Sequence, residues 1–131
     1  MSLQGVILRG VGGFYYAMDQ QGTVHTLRAQ GKLRRERLKP KVGDHVELTP
    51  SAGEEHGWIL AIQPRRNELT RPPVANIDVV CVVVAAATPE ADLALADRLM
   101  VNARRAGIGV CMAVNKCDLN PGRAEEIVRQ Y

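Results

Sequence analysis

Short runs of alternating polar and apolar residues fill the first half of the chain, and long apolar blocks fill the second. "GVILRGVGGFYYAM" (5–18) has the pattern of a strand interrupted at Gly12-Gly13, where a bulge or sharp bend is expected. "DQQG" (19–22) predicts a hairpin turn, with Gly22 free to take a positive φ. "TVHTLRA" (23–29) alternates with period two, and "VGDHVELT" (42–49) and "GWILAI" (57–62) complete the set. If the long first segment bends into its neighbour, these are the five strands of a small Greek-key barrel, OB or SH3-like.

The pattern changes at Arg71-Pro72-Pro73. "IDVVCVVVAAA" (77–87) is almost continuously apolar, as in a strand buried on both faces of a parallel sheet. Thr88 is positioned to cap the next helix, with Pro89 at its first position and Glu90 in its first turn. Leu95, Leu99 and Ala103 recur every four residues, and Gly107 ends the helix. "IGVCMAV" (108–114) is a second strand, and Asn120-Pro121 starts a helix that runs to Tyr131. The result is β-α-β-α, the opening of a doubly wound sheet. The predicted domains are therefore 1–70 and 71–131.

Charge follows the same division. Residues 1–71 carry 11 Lys/Arg and 7 Asp/Glu, whereas residues 72–131 carry 6 and 7. The 131 residues suit one ordinary domain or two small ones. The longest apolar run, Val79 to Ala87, is too short to span a bilayer, and no charged-then-apolar leader opens the chain. Cys81, Cys111 and Cys117 are far apart and odd in number, which points to reduced thiols in the cytoplasm and not to a disulfide frame or a metal site.

Two features carry chemistry. The first is Asn115-Lys116-Cys117-Asp118, directly after an apolar strand, where ligands of open α/β sheets bind. Guanine shows two donors on one edge, its ring N–H and its exocyclic amine. The carboxylate of Asp118 is an acceptor-only fork that can meet both. The amide of Asn115 can reach the base or brace a loop, and Lys116 can lay its stem over the base plane. The alternative is an ordinary polar turn between strand and helix. The second feature is "RAQGKLRRERLKPK" (28–41), with seven basic residues and one acidic. Arg28, Lys32, Arg34, Arg35, Arg37, Lys39 and Lys41 are candidate RNA contacts, since barrels of the OB type bind oligonucleotides on one face and its loops. The alternative is a solvated loop. Phe14, Tyr15, Tyr16 and Trp58 could stack on bases, although Trp58 within "WILAI" is expected in the core. His25, His45 and His56 lack metal spacing and are expected at the surface. Asp19-Gln20-Gln21-Gly22 matches Asp-x-x-Gly but reads as a turn, not a nucleotide switch.

"RRNELTRPPVANIDVV" (65–80), "ADLALADRLMVNARRAGIGVCMAVNKCDL" (91–119) and the preceding β module resemble the ribosome small-subunit-dependent GTPase A family, circularly permuted GTPases of small-subunit maturation. The resemblance implies an all-β OB-fold barrel followed by the first β-α-β-α part of an α/β, P-loop GTPase-like domain. In that family the guanine-reading Asn-Lys-x-Asp comes first and the phosphate loop and Asp-x-x-Gly switch later, with a zinc-binding domain at the C-terminus. No G-x-x-x-x-G-K-[ST] occurs in these residues, and no spaced Cys and His zinc ligands. The chain is therefore expected to be the N-terminal part of such a protein, inactive by itself, with no catalytic and no metal-binding residue. Asn115, Lys116 and Asp118 match the family's base-binding motif. The implied ligands are GTP with Mg²⁺, and zinc only beyond Tyr131. The implied partners are the small (30S) ribosomal subunit and its rRNA, with no membrane. The complete protein is expected to be monomeric and cytoplasmic, docking with GTP bound and leaving on hydrolysis. The rival expectation is a non-enzymatic RNA-binding assembly module whose α/β tail only supports the barrel or a partner.

Overall fold

The computed structural model describes residues 2–88 and 92–131. They form two compact units, Met1–Ile77 and Asp78–Tyr131. In the first unit, β1 (Leu3–Val11), β2 (Phe14–Asp19), β3 (Val24–Ala29), β4 (His45–Thr49) and β5 (Gly57–Ile62) close a barrel in the order β1-β2-β3-β5-β4. β1 pairs with β2 and with β4, both antiparallel, and β3 pairs with β5 in parallel. This is the five-stranded OB-type barrel. The chain reverses at Gly12-Gly13, both at positive φ, and again at the Asp19–Gly22 turn. In that turn Asp19 Oδ1 accepts the N–H groups of Gln21 and Thr23 at 2.9 and 3.0 Å. The Asp-x-x-Gly sequence is thus a hairpin turn, as expected.

Period-two alternation sends Ile7, Ala17, Leu27, Val46, Leu48 and Ile59 into the barrel core. Trp58 departs from its expected place: it neighbours Ile59 on the strand, so it points outward and is 36% exposed. His45 is exposed as expected, but His25 and His56 are half-buried. His25 Nε2 lies 2.8 Å from the Asp19 carboxylate, and His56 lies between Phe14 and Trp58. The basic segment is not a plain loop. Its residues Gly31–Arg35 form a short helix, α1, because Leu33 is drawn into the core and is 3% exposed.

The structural division at Ile77 lies later than the sequence boundary at 70/71. A clasp, the hairpin β6 (Glu68–Leu69) and β7 (Val74–Ala75), binds residues 65–76 back to the barrel. Ala75 N–H donates to Val42 O at 2.8 Å, and Asn76 Nδ2 donates to Gly43 O at 2.9 Å. Gly43 has φ 93°, and a Cβ there would fall 2.0 Å from Ala75 O. Only glycine allows that approach. Asp44 beside it is completely buried. Its carboxylate accepts Arg65 Nε and Nη2, both at 2.8 Å, and Lys41 N–H at 2.7 Å.

The second unit contains β8 (Val79–Ala85), α2 (Leu93–Arg105), β9 (Gly109–Asn115) and α3 (Pro121–Gln130). β8 and β9 pair in parallel from Val79↔Gly109 to Ala85↔Asn115. Three expectations change. The cap of α2 is Asp92, whose Oδ1 accepts Leu95 N–H at 3.0 Å, and not Thr88; Pro89 and Glu90 lie outside the described residues. On α2 the inward residues are Ala96 and Ala103, with Leu93, Leu99 and Met100 packed beside them, so Leu95 faces solvent. β8 is covered on one face only: Val82 and Val84 pack with Ala96 and Ile127, whereas Val79 and Val83 are 52% and 65% exposed. Ala96 of α2 and Ile127 of α3 join the same cluster, so both helices cover one face of a two-stranded sheet. Gly107, φ 75°, ends α2, and Asn120 caps α3 through Arg123 N–H with Pro121 in the first turn, as predicted. All three cysteines are free thiols.

Candidate functional site

In the second unit the carboxyl ends of both parallel strands lie side by side, since Ala85 pairs with Asn115. Asn115 closes β9, and the chain turns at once: Leu119 N–H donates to Lys116 O at 3.1 Å. Asn115 Oδ1 accepts Lys116 N–H at 2.9 Å, which braces the start of the turn. Lys116 has φ 58°, the left-handed region that a side chain enters at a cost of about 1 kcal/mol or more. Its Nζ crosses to the segment after β8 and donates to Thr88 O at 2.6 Å. One lysine thus ties together the two strand ends between which a ligand of such a sheet would lie.

Asp118 is exposed, and among the described residues its carboxylate has no hydrogen bond or ion pair. Asn115 spends its oxygen on Lys116, while its Nδ2 donor has no protein partner among the described residues. The turn therefore offers one neutral donor and one two-oxygen acceptor within four residues, next to a lysine already anchored. A base edge with paired donors fits that set, and an acceptor at the same place would face Asp118 with like charge. Thr88 O could not be foreseen from residue types, because a backbone carbonyl has no signature of that kind.

A magnesium site is not built from these residues. No G-x-x-x-x-G-K-[ST] stretch supplies its hydroxyl, and among the described residues no group of three or more His, Cys, Asp or Glu could hold a metal ion.

In the first unit the predicted RNA contacts separate into three kinds. Lys32, Arg34 and Arg35 lie on α1, and with Arg37 and Lys39 they are exposed. Arg37 adopts φ 57°, which turns the chain after α1. Arg28 lies on β3 with its guanidinium carbon 5.2 Å from the centre of the Phe14 ring. Lys41 is already engaged, its Nζ 2.9 Å from Glu68 Oε2 and 3.1 Å from Leu69 O. That ammonium, followed by Arg65, holds the Glu68 carboxyl below its ordinary range. A groove of about 260 Å³ runs beside Gly12, Gly13 and Tyr15, with Lys39 and Lys41 on its other wall. Arg9, which period counting passed over, lies 5.0 Å from the Tyr16 ring centre.

Comparison with known proteins gives a consistent result. Residues 4–59 match the family model described as RsgA N-terminal domain, and residues 62–131 the model described as RsgA GTPase. The chain is 40% identical over 125 residues to the small ribosomal subunit biogenesis GTPase RsgA of Caldanaerobacter subterraneus subsp. tengcongensis, covering 95% of itself and 41% of that protein. The protein of the same name from Geobacillus thermodenitrificans is 38% identical over 128 residues, 98% of this chain and 43% of the relative. Among solved structures, YjeQ from Thermotoga maritima matches with a TM-score of 0.78 and 31% identity, over 99% of this chain and 47% of that one. YloQ, described as a circularly permuted GTPase, matches at 0.73 and 30%, with the same coverage. The chain thus spans less than half the length of each of these relatives.

Proposed function

The chain belongs to the RsgA GTPase family, and from that premise we propose that its protein is a GTPase of small ribosomal subunit biogenesis, binding rRNA through the barrel and guanine through Asn115, Lys116 and Asp118. The observation that carries the guanine assignment is the Asp118 carboxylate, unpaired among the described residues, at the carboxyl end of β9 beside a lysine already fixed to Thr88 O. That arrangement has the acceptor pair a guanine edge requires and leaves it available to a ligand. The names borne by the similar proteins support the subunit as partner. GTP with Mg²⁺ is the proposed ligand, and the cytoplasm the proposed compartment. No helix of the described residues is long and apolar enough to cross a membrane.

The rRNA side of the proposal uses Arg28, Lys32, Arg34, Arg35, Arg37 and Lys39, with Lys41 shaping the groove through Glu68. Triphosphate affinity comes largely from amide-rich loops and Mg²⁺. These 131 residues lack the phosphate-loop sequence, so by themselves they should not turn GTP over.

The test of the base assignment is Asp118→Asn in the protein as its gene encodes it. Xanthine carries a carbonyl where guanine carries its amine, so an aspartate meets an acceptor and an asparagine supplies the missing donor. The variant should lose GTP affinity and gain xanthosine triphosphate affinity, each by about 10-fold or more. Binding of both nucleotides to both proteins is the measurement. A variant that keeps the native preference for GTP removes Asp118 from the base, and Asn115 and Lys116 with it.

A further inference from the structure

Outside the barrel, opposite the core, the strands carry a row of rings. Phe14 on β2 pairs with Arg28 on β3, and Arg28 pairs with Trp58 on β5. His56, just before β5, bridges the two rings. Its own ring is 5.9 Å from Phe14 and 4.9 Å from Trp58, edge to face in both cases. One register step away, Arg9 pairs with Tyr16 and lies over its ring. The neighbours of these residues on each strand, Ala17, Leu27 and Ile59, are wholly buried. The aromatic row is thus additional to the core.

A purely structural row would serve as cross-strand packing. Two observations ask for more. Trp58 remains among the exposed large apolar residues, although the interior of the barrel is already filled. The Arg28 Nε is buried against this face and has no hydrogen-bond partner among the described residues. Arginine over a ring presents a flat cation, and a base can extend such a stack. Charge is laid out to match. Arg28 Nη2 lies 3.9 Å from the position a Cβ of Gly13 would take, and Gly13 also lines the groove flanked by Lys39 and Lys41. A phosphate chain following that groove would pass the edge of the aromatic row.

We propose that the outer face of β2, β3 and β5, where Phe14 and Trp58 flank Arg28 with His56 bridging the two rings and the Arg9–Tyr16 pair lies on the β1 side, is a stacking platform for the unpaired bases of a single-stranded RNA. It rests on the reading of the first unit as RNA-binding, and adds that the RNA is taken with bases splayed out. The basic helix holds phosphates; the rings hold base faces, which are similar for all four bases. Recognition here is of single-strandedness, with little sequence preference.

Trp58 is the only tryptophan of the chain, so its fluorescence reports this face directly. The 131-residue chain is titrated with an oligoadenylate RNA of about 12 nucleotides, within the span such barrels occupy, and with a blunt RNA duplex of equal length. The single strand should quench Trp58 and the duplex should not. Phe14→Leu and Trp58→Leu should each lower single-strand affinity by about 5- to 100-fold, with the salt dependence unchanged. Replacing Arg34, Arg35 and Arg37 by Glu should do the converse, flattening the salt dependence while quenching at saturation persists. Binding with the native salt slope but without quenching, or equal quenching by the duplex, would overturn the platform and leave RNA binding through phosphates in place. Absence of RNA binding altogether would remove both. Should a leucine variant fail to fold, the quenching of the native chain by single strand against duplex decides.

Discussion

Removing Arg65 should cost the barrel more than any surface substitution. Asp44 is completely buried, and two of its three hydrogen bonds come from the Arg65 guanidinium. In Arg65→Leu the carboxylate would keep only Lys41 N–H, at 2.7 Å. Breaking a buried pair from one side costs about 3–5 kcal/mol, because the remaining charge stays desolvated. The Arg65 side chain is 24% exposed, so water can reach part of the gap and the lower end applies, about 3 kcal/mol. For a unit of this size each kcal/mol moves the midpoint by about 4–8 °C, so the barrel should melt roughly 12–24 °C lower. The single tryptophan, Trp58 on β5, follows the barrel without contribution from the second unit. The double variant Asp44→Asn with Arg65→Leu buries no charge and should recover more than half of the loss. A single variant within about 4 °C of the native midpoint, or a double variant showing additive losses to within about 0.5 kcal/mol, would refute the reasoning.

Replacing Arg34, Arg35 and Arg37 with Glu should weaken rRNA binding and lower the log–log salt slope by about 0.7 for each phosphate that is no longer neutralised; affinity and slope both at native values would make α1 a solvated surface. Acid should loosen the first unit. The Glu68 carboxyl is held below its usual 4.5 by the Lys41 ammonium, and that of Asp19 below its usual 3.8 by the His25 hydrogen bond. Folded values below unfolded ones mean stability that is complete above those ordinary values and fades as pH falls through the lower folded ones. Glu68→Gln should make the Trp58-monitored midpoint less steep in pH over that acid range, by a small amount because the side chain is half exposed; identical pH profiles for the two proteins would contradict this.

How much could be read from the chain depended on whether an element was decided locally. The hairpin at Asp19–Gly22, the stop at Gly107 and the Asn120 cap were legible because each is set by residue types within a few positions. The parallel strand ending in Asn115 was legible from its apolar run. Partners brought in from a distance were not. Asp44 reads as one polar position of the strand pattern 42–49 until Arg65 arrives, and Leu33 looks like part of a charged loop until the core takes it. Trp58 was misplaced because a dense apolar stretch hid the alternation that puts Gly57 and Ile59 inside and the ring outside. The one-sided burial of β8 had the converse cause: continuous apolarity is a property of the strand, whereas cover is a property of its neighbours. Asn115, Lys116 and Asp118 are singled out by spacing as candidates, but the tie from Lys116 to Thr88 O needed coordinates.

For a chain made from its N-terminus onward, the clasp sets the moment at which the barrel can lock. β1 awaits β4, and β3 awaits β5, so no stretch ending before Ile62 can close the ring. Even then all five strands are present while Asp44 has no counter-charge, and burial of a lone carboxylate opposes closure. Arg65 supplies that charge, and Asn76 then fastens the Gly43 carbonyl. A nascent chain stopped between these points would hold every strand of the fold and close it less stably, with Asp44 lacking its counter-charge. The last part of the barrel's stability thereby depends on the residues that lead into β8, and the first unit is fully fastened only as the second begins.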